Sequence, residues 1–91
     1  MERYLIIFKG QVQGVGFRFT CERIAVSLNL TGYAENLDNY DVRVEIQGDK
    51  KNIYEFLKQI LNCDNHWIMI EDYSIKKIEV IENEKKFVPR Y

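Results

Sequence analysis

A glycine-rich run that ends in an arginine lies between a strand-like apolar segment and a helix-like one. The run, GQVQGVGFR, covers residues 10–18. Its three glycines allow the backbone to turn tightly and to bring N–H groups close to a ligand. The helix that follows adds the positive end of its dipole, and Arg18 adds a planar, permanent positive charge. The sequence therefore predicts a local anion-binding loop, with phosphate as the first ligand to consider.

Length and composition restrict the class of protein. The 91 residues are enough for one core, so we expect a single domain over residues 1–91. Thirteen basic residues against 14 acidic ones leave a net charge of -1, which gives no overall attraction to nucleic acid or to an anionic membrane. No apolar window reaches transmembrane length and no signal-peptide pattern begins the chain, so we expect a soluble, cytoplasmic protein.

The cysteines and the single histidine do not form a recognisable site. Cys21 and Cys63 have no paired spacing, so we expect no disulfide between them. Cys63 and His66 stand three residues apart, but two ligands without a second pair do not complete a zinc site, and we expect no bound metal. His66 lies outside the glycine run, which favours a surface or packing role over a catalytic one.

Hydrophobic periodicity predicts six main elements and a short seventh one. In chain order these are a central strand over Tyr4–Phe8, a helix after Arg18 that ends before Gly32, a hairpin over residues 32–48 with its turn at Asp38–Tyr40, a helix capped by Asp49 that ends near Asn62, a strand over Ser74–Glu82 and a short edge strand over Phe87–Tyr91. This order matches the α+β, ferredoxin-like βαββαβ sandwich, in which two helices cover one face of an antiparallel sheet. The apolar segment Trp67–Ile70 fits a short strand, a packed loop or an exposed patch, of which we favour packing.

The glycine run is not a nucleotide motif, because it lacks the ending of a Walker A loop and the third glycine of a dinucleotide fingerprint. It closely resembles the first signature of the acylphosphatase family. The second signature of that family, a glycine and an aromatic residue followed by an asparagine and a distant glycine, is matched by Gly32, Tyr33, Asn36 and Gly48. Taken alone, the glycine run is as compatible with a tight strand-to-helix connection as with a ligand-binding loop. Two signatures at the family spacing favour catalysis.

The resemblance implies hydrolysis of the carboxyl-phosphate bond of an acyl phosphate, without a metal or a cofactor. It implies that Arg18 binds two phosphoryl oxygens and that Asn36 positions the attacking water. It also implies that the phosphoryl oxygens are bound by the backbone N–H groups of Gln13, Gly14, Val15, Gly16 and Phe17. We expect a monomer whose partners are the acyl phosphate and phosphate.

Three positions depart from the family pattern. Glu35 adds a carboxylate beside the anion site, but we expect its side chain to face away from that of Asn36 because side chains alternate along a strand. Tyr40 replaces a glycine of the hairpin turn, and since tyrosine is costly at positive φ, we expect a different turn type. Trp67–Ile70 replaces a segment that family members mark with glycine and proline.

Two other functions fit parts of the sequence. Acylphosphatase-like domains also begin larger hydrogenase-maturation carbamoyltransferases, so a non-catalytic or carbamoyl-phosphate-handling accessory domain is one alternative. The chain ends at Tyr91 without zinc-finger cysteines or a second domain, which favours a free-standing enzyme. A nucleic-acid-binding ferredoxin-like module is the other alternative, with Tyr4 or Phe8 as stacking residues. The pI of about 5.8 and the missing aromatic strand motif count against it.

Overall fold

The structure is a computed structural model that describes residues 1–90. These residues form one mixed β-sheet and two α-helices. The elements in chain order are β1 Glu2–Gln11, α1 Phe17–Ser27, β2 Thr31–Asn36, β3 Val42–Gly48, α2 Lys50–Leu61, β4 Met69–Ile78 and β5 Phe87–Arg90. The sheet has the order β4-β1-β3-β2-β5, and only the pair β2–β5 is parallel. The predicted ferredoxin-like βαββαβ fold is confirmed. The short strand predicted at the carboxyl end is β5, and Tyr91 lies outside the described residues.

The core lies between one face of this sheet and the two helices. Alternate residues of the inner strands point to that face, as the alternation along residues 42–47 predicts. The fully buried strand positions on that face are Ile6, Phe8, Ala34, Val42, Val44 and Ile46. The helix residues buried against them are Phe17, Cys21, Ile24 and Ala25 of α1 and Ile53, Phe56 and Ile60 of α2. Each large side chain buried in this way contributes about 1.5–3 kcal/mol to folding, so the two-layer packing fixes how α1 lies across the sheet.

The last long strand begins earlier than the sequence indicates. We predicted a strand over Ser74–Glu82, whereas β4 runs over Met69–Ile78. The reason is the length of β1, which extends to Gln11. Gln11 pairs with Met69, so β4 already begins at that residue. A bulge between Lys9 and Gly10 shifts the register on the way. The start of β4 is therefore set by its partner strand and not by its own hydrophobic pattern.

The segment before β4 is only partly packed. Ile68 and Ile70 pack against the core, as expected for the segment. Trp67 is 72% exposed and Met69 is 60% exposed, so the expected packing is wrong for these two residues. The alternation of exposed and half-buried positions arises because the chain enters an edge strand at Met69.

A buried arginine explains why β4 does not continue to Glu82. Arg3 is fully buried on the sheet face away from the helices, where it donates to Glu45 at 2.9 Å, Gln47 at 3.1 Å and Glu84 at 2.8 Å. The backbone N–H of Ile81 also donates to Gln47, at 2.8 Å. Burial by itself lowers the pKa of Arg3, but the hydrogen bonds to Glu84 and Glu45 outweigh it and raise the pKa. Residues 79–86 therefore cover this buried charge and do not extend the strand.

The hairpin turn between β2 and β3 keeps a left-handed residue. Tyr40 has φ 72°, so a tyrosine occupies positive φ in this turn, and the expected difference in turn type from the family pattern stays a prediction. The backbone N–H of Leu37 donates to the carbonyl of Asp41 at 2.9 Å, and that of Tyr40 donates to the carbonyl of Leu37 at 3.1 Å. The side chain of Asn39 also accepts from the N–H of Asp41 at 3.1 Å. These bonds hold the turn closed and offset the strain at Tyr40, whose side chain is 75% exposed.

Candidate active site

The glycine run forms an open loop between the end of β1 and the start of α1. Gly14 and Gly16 have φ 72° and 81°, in the left-handed region that side chains disfavour. Within residues 1–90, none of the backbone N–H groups from Gly14 to Phe17 donates a hydrogen bond to the protein. Unpaired N–H groups in alternating backbone conformations form a concave donor surface for anions. The loop predicted from the glycine spacing is therefore present with its donors available.

The helix α1 starts at the last residue of this loop. Gly16 is the N-cap and has no side chain to bond the first turn of the helix. Phe17 is buried, and its ring meets that of Phe8 edge-on at 5.1 Å between centroids. Thr20 donates to the carbonyl of Gly16 from both its backbone N–H, at 3.0 Å, and its hydroxyl, at 2.9 Å. The loop therefore ends on a fixed helix whose positive dipole end faces the same solvent region.

Arg18, the second residue of α1, reaches toward the last strand. Its Nη1 donates to the backbone carbonyl of Arg90. Arg90 pairs with Glu35 across the parallel strands, and Glu35 directly precedes Asn36. The guanidinium therefore lies on the α1 side of the sheet edge, near the end of β2.

Asn36 is the last residue of β2 and lies at the same end of the sheet as the glycine loop. Strands β1 and β2 are both antiparallel to β3, so their carboxyl ends lie together. In the register Asn36 pairs with Val42, which pairs with Phe8, two residues before Gly10. The Oδ1 atom of Asn36 is buried and accepts no hydrogen bond within residues 1–90. A buried amide oxygen without a donor is unfavourable unless a ligand or water supplies one.

The carboxylate of Glu35 is directed away from the site. Glu35 pairs with Arg43 across β2 and β3, and its carboxylate lies 3.5 Å from the guanidinium of that residue. Asn36 pairs with the fully buried Val42, which faces the helices. Because side chains alternate along a strand, Glu35 and Arg43 occupy the opposite face. The negative charge of Glu35 is therefore neutralised locally and lies away from the loop donors.

The side chain of Gln13 joins the loop to the β2–β3 hairpin. Its Nε2 donates to the carbonyls of Leu37 and Asp41, both at 2.8 Å. Lys9, near the end of β1, forms an ion pair with Asp41 at 2.7 Å. These bonds fix the loop relative to the residue that follows Asn36. The amide nitrogen of the Gln13 side chain is thus bonded to the hairpin.

Asn65, which no sequence motif marks, contacts the loop from the other side. Its Nδ2 donates to the carbonyl of Val15 at 2.8 Å, and its Oδ1 accepts from the N–H of Trp67 at 2.9 Å. The sequence gives only a weak indication of this contact. An asparagine in a connecting loop commonly forms hydrogen bonds to backbone groups, but the sequence does not identify which groups these are. Gln11 adds a further link, donating to the carbonyl of Trp67 at 2.7 Å.

Other reactive side chains lie away from the loop or within the core. Cys21 is fully buried, and burial raises the pKa of its thiol, so it is held as the neutral thiol. His66 is exposed. In residues 1–90 no group of three or more His, Cys, Asp or Glu side chains is arranged to hold a metal ion. Neither helix of that same range is long and apolar enough to cross a bilayer.

A family model and two similar proteins carry the same name. The family model described as Acylphosphatase matches residues 4–89. An acylphosphatase of Clostridium acetobutylicum is 44% identical over 87 residues, which are 96% of this chain and 94% of the relative. An acylphosphatase of Clostridium perfringens is 45% identical over 87 residues, or 96% of this chain and 97% of the relative. These relatives are similar to the chain over nearly their whole length.

Solved structures give the same result. The crystal structure of an acylphosphatase from Bacillus subtilis has a TM-score of 0.92 and 28% sequence identity, and the comparison covers all of both chains. Full-length HypF, solved in a phosphate- and nucleotide-bound form, has a TM-score of 0.90 and 29% identity, over 99% of this chain and 12% of HypF. Both signatures, the fold and the full-length relatives agree, and the chain belongs to the acylphosphatase family.

Proposed function

We propose that this chain hydrolyses acyl phosphates to a carboxylate and inorganic phosphate, without a metal or a cofactor. The proposal rests on two sets of polar groups at one end of the sheet that have no hydrogen-bond partner within residues 1–90. The N–H groups from Gly14 to Phe17 are donors without acceptors, and the buried Oδ1 of Asn36 is an acceptor without a donor within residues 1–90. Phosphate oxygens match the first set and a water molecule matches the second.

The phosphoryl group would be bound by the loop and by the guanidinium. The N–H groups of Gln13, Gly14, Val15, Gly16 and Phe17 donate to its oxygens, and Arg18 adds two charge-assisted bonds. Phosphoryl transfer passes through a loose transition state that requires positioning and charge stabilisation more than covalent chemistry by the protein. Preorganised donors of this kind are therefore sufficient, because the carboxylate is already a good leaving group.

Asn36 would position the attacking water. Its Oδ1 accepts a hydrogen bond from the water, which orients a lone pair of the water oxygen toward phosphorus. The new bond joins the water oxygen to phosphorus, and the bond between phosphorus and the carboxyl oxygen breaks with its electron pair. The carboxylate leaves, and the proton from water passes to solvent. No strong general base is needed, because the transition state is loose and the carboxylate leaves readily.

We also propose that a single chain acts in the cytoplasm on small molecules, and that nucleic acid is not a partner. Every residue given a role lies within one chain. The net charge of -1 gives no general attraction to a polyanion, and a loop with one arginine suits a small acyl phosphate better than a nucleic acid backbone.

Handling of carbamoyl phosphate as an accessory domain is the second candidate. The likeness to 12% of HypF favours it, since a similar fold occurs there as a part of a larger protein. Carbamoyl phosphate presents the same phosphoryl group to the loop. Comparison of kcat/KM for carbamoyl phosphate and benzoyl phosphate separates the two candidates, because a domain dedicated to carbamoyl phosphate should discriminate against the aromatic acyl group.

The decisive experiment measures release of phosphate and benzoate from benzoyl phosphate in the presence of a chelator. We expect turnover by the parent protein and a loss of about 10²- to 10³-fold in Arg18→Ala and in Asn36→Ala. Arg23→Ala is the matched control, because it removes the same charge from an exposed position of the same helix. Near-normal turnover by Arg18→Ala would contradict the mechanism. An inactive parent that still binds phosphate would make the accessory role the better description.

A further inference from the structure

We propose that Asn65 is a positioning residue that holds the Val15–Gly16 peptide of the loop in its anion-binding orientation. This inference rests on the proposed function, because it concerns the same phosphate-binding loop. Asn65 lies between α2 and β4, 49 positions beyond Gly16, and it is not part of either family signature. Its side chain nevertheless reaches the middle of the loop, where Nδ2 donates a 2.8 Å hydrogen bond to the carbonyl of Val15.

The planarity of the peptide bond connects that contact to the anion site. The carbonyl of Val15 and the N–H of Gly16 belong to one trans peptide and point in opposite directions. Because Asn65 bonds the carbonyl, the N–H of Gly16 is directed away from Asn65. A Cβ built on Gly16 would lie 3.8 Å from Asn65 Nδ2, so the Asn65 side chain lies close against this residue. The donor N–H therefore faces the side of the loop that Asn65 leaves open.

Without this bond the peptide has an alternative orientation. Gly14 and Gly16 flank the segment at φ 72° and 81°, and glycine populates positive and negative φ with similar ease. Rotation of the Val15–Gly16 peptide would turn the carbonyl of Val15 toward the anion and would remove one donor. A carbonyl oxygen facing phosphate repels it, whereas the N–H attracts it. Because the glycines leave this peptide free to rotate, a contact from outside the loop is needed to keep its N–H directed at phosphate.

Asn65 is itself held by a network that makes the restraint rigid. Its Oδ1 accepts from the N–H of Trp67 at 2.9 Å, and its carbonyl accepts from the N–H of Ile68 at 3.1 Å. Ile68 packs against the core, and Gln11 donates to the carbonyl of Trp67 at 2.7 Å. The turn over residues 65–68 is therefore bonded both to the end of β1 and to the middle of the loop. Both ends of the amide are used, which fixes the direction of Nδ2.

The test compares Asn65→Asp with Asn65→Ala. Asparagine and aspartate have the same shape, and Asn65→Asp retains the acceptor for Trp67 while replacing the donor that faces Val15. Asn65→Ala removes both bonds. Asn62→Asp is the control for added charge, since it places a carboxylate on an exposed residue nearby. For each protein we would titrate inorganic phosphate by NMR, following the Gly14 and Gly16 amide signals, and would measure KM and kcat for benzoyl phosphate and the thermal midpoint.

We expect the Kd for phosphate and the KM for benzoyl phosphate to rise by about fivefold in both Asn65 variants, because both lose the hydrogen bond to Val15, and to change little in Asn62→Asp. We also expect the phosphate-induced shift of the Gly16 amide to diminish. A purely structural role would lower the thermal midpoint but leave Kd and KM unchanged, and that result would overturn the proposal. If the parent binds phosphate without hydrolysing benzoyl phosphate, the proposed function fails while the phosphate titration still decides the role of Asn65. A parent that binds no phosphate overturns both.

Discussion

The side-chain Nε2 of Gln13 lies 2.8 Å from the backbone carbonyl oxygen of Leu37, one residue beyond Asn36. The two family signatures are thus joined directly: a residue of the first bonds the chain where the second ends. The same Nε2 donates to the carbonyl of Asp41 at 2.8 Å, so both ends of the hairpin turn contact the loop. This contact sets the distance between the phosphate-binding groups and the residue proposed to position water.

Replacement of Gln13 by methionine should uncouple the loop from the hairpin. Methionine has a similar size but no donor. The carbonyls of Leu37 and Asp41 keep their bonds to the N–H groups of Tyr40 and Leu37, so no buried acceptor is left without a partner. Two lost hydrogen bonds of about 1 kcal/mol each predict a fall of roughly 30-fold in kcat/KM for benzoyl phosphate if both act on the transition state. Gln59→Met on the exposed face of α2 is the control, and an unchanged kcat/KM in Gln13→Met would contradict the coupling.

Replacement of Arg18 by lysine should restore little of the activity lost in Arg18→Ala. Lysine retains the charge, but a single ammonium group cannot form the two parallel bonds of a guanidinium to a phosphoryl group. We expect kcat/KM for Arg18→Lys to stay about 10²-fold below the parent value. Arg23→Lys should behave as the parent. Full activity of Arg18→Lys would show that charge, and not geometry, is what the site requires.

Replacement of Tyr40 by glycine should stabilise the protein. Tyr40 has φ 72° and an exposed side chain, so the substitution relieves backbone strain and removes few contacts. Left-handed backbone costs a residue with a Cβ about 1–2 kcal/mol, part of which the greater chain entropy of glycine cancels. We expect a net gain of about 1 kcal/mol in the free energy of unfolding by urea. Tyr40→Ala keeps the Cβ and should show no comparable gain; equal stabilisation of the two variants would mean that backbone strain is not the cause.

The hydrogen bonds between Arg3 and its partners Glu45, Gln47 and Glu84, called the Arg3 network, should make the free energy of unfolding depend on pH in the acidic range. The titrating group is the carboxyl group of Glu45. Burial by itself raises the pKa of Glu45, but the hydrogen bonds from Tyr33 and Arg3 outweigh it and hold the pKa below the usual 4.5. A carboxyl group with a lowered folded-state pKa stabilises the protein above its unfolded pKa, and this contribution is lost as the pH falls through the folded pKa. The free energy of unfolding should therefore fall as the pH drops below about 4.5.

The variant Glu45→Gln tests this assignment. It should be less stable at neutral pH by about 1–3 kcal/mol, because the buried Arg3 loses a charged partner. Its stability should also change less with acidification than that of the parent. Glu79→Gln, at an exposed carboxylate outside the network, is the control and should follow the parent curve. Parallel pH curves for Glu45→Gln and the parent would exclude Glu45 as the titrating group.

The element order and the family could be predicted from the sequence because their signals are local. The alternation of Val42, Val44 and Ile46 and the three- to four-residue spacing in both helices follow from the periods of the backbone itself. The signatures around Arg18 and Asn36 identify the family, which the full-length relatives confirm. The catalytic roles of these two residues and of the loop N–H groups remain predictions for the proposed assays.

Only the tertiary structure decided which distant groups meet. The start of β4 at Met69 depends on the length of β1, the bonds of residues 79–86 depend on a buried Arg3, and the contact of Asn65 with Val15 spans 50 positions. Such contacts leave no periodic pattern, since each joins segments that are far apart in sequence. The sequence by itself thus determined the fold class, the family and the chemical groups of the loop. Long-range packing decided how those groups are held, because a glycine-rich backbone has no fixed conformation without neighbours to bond it.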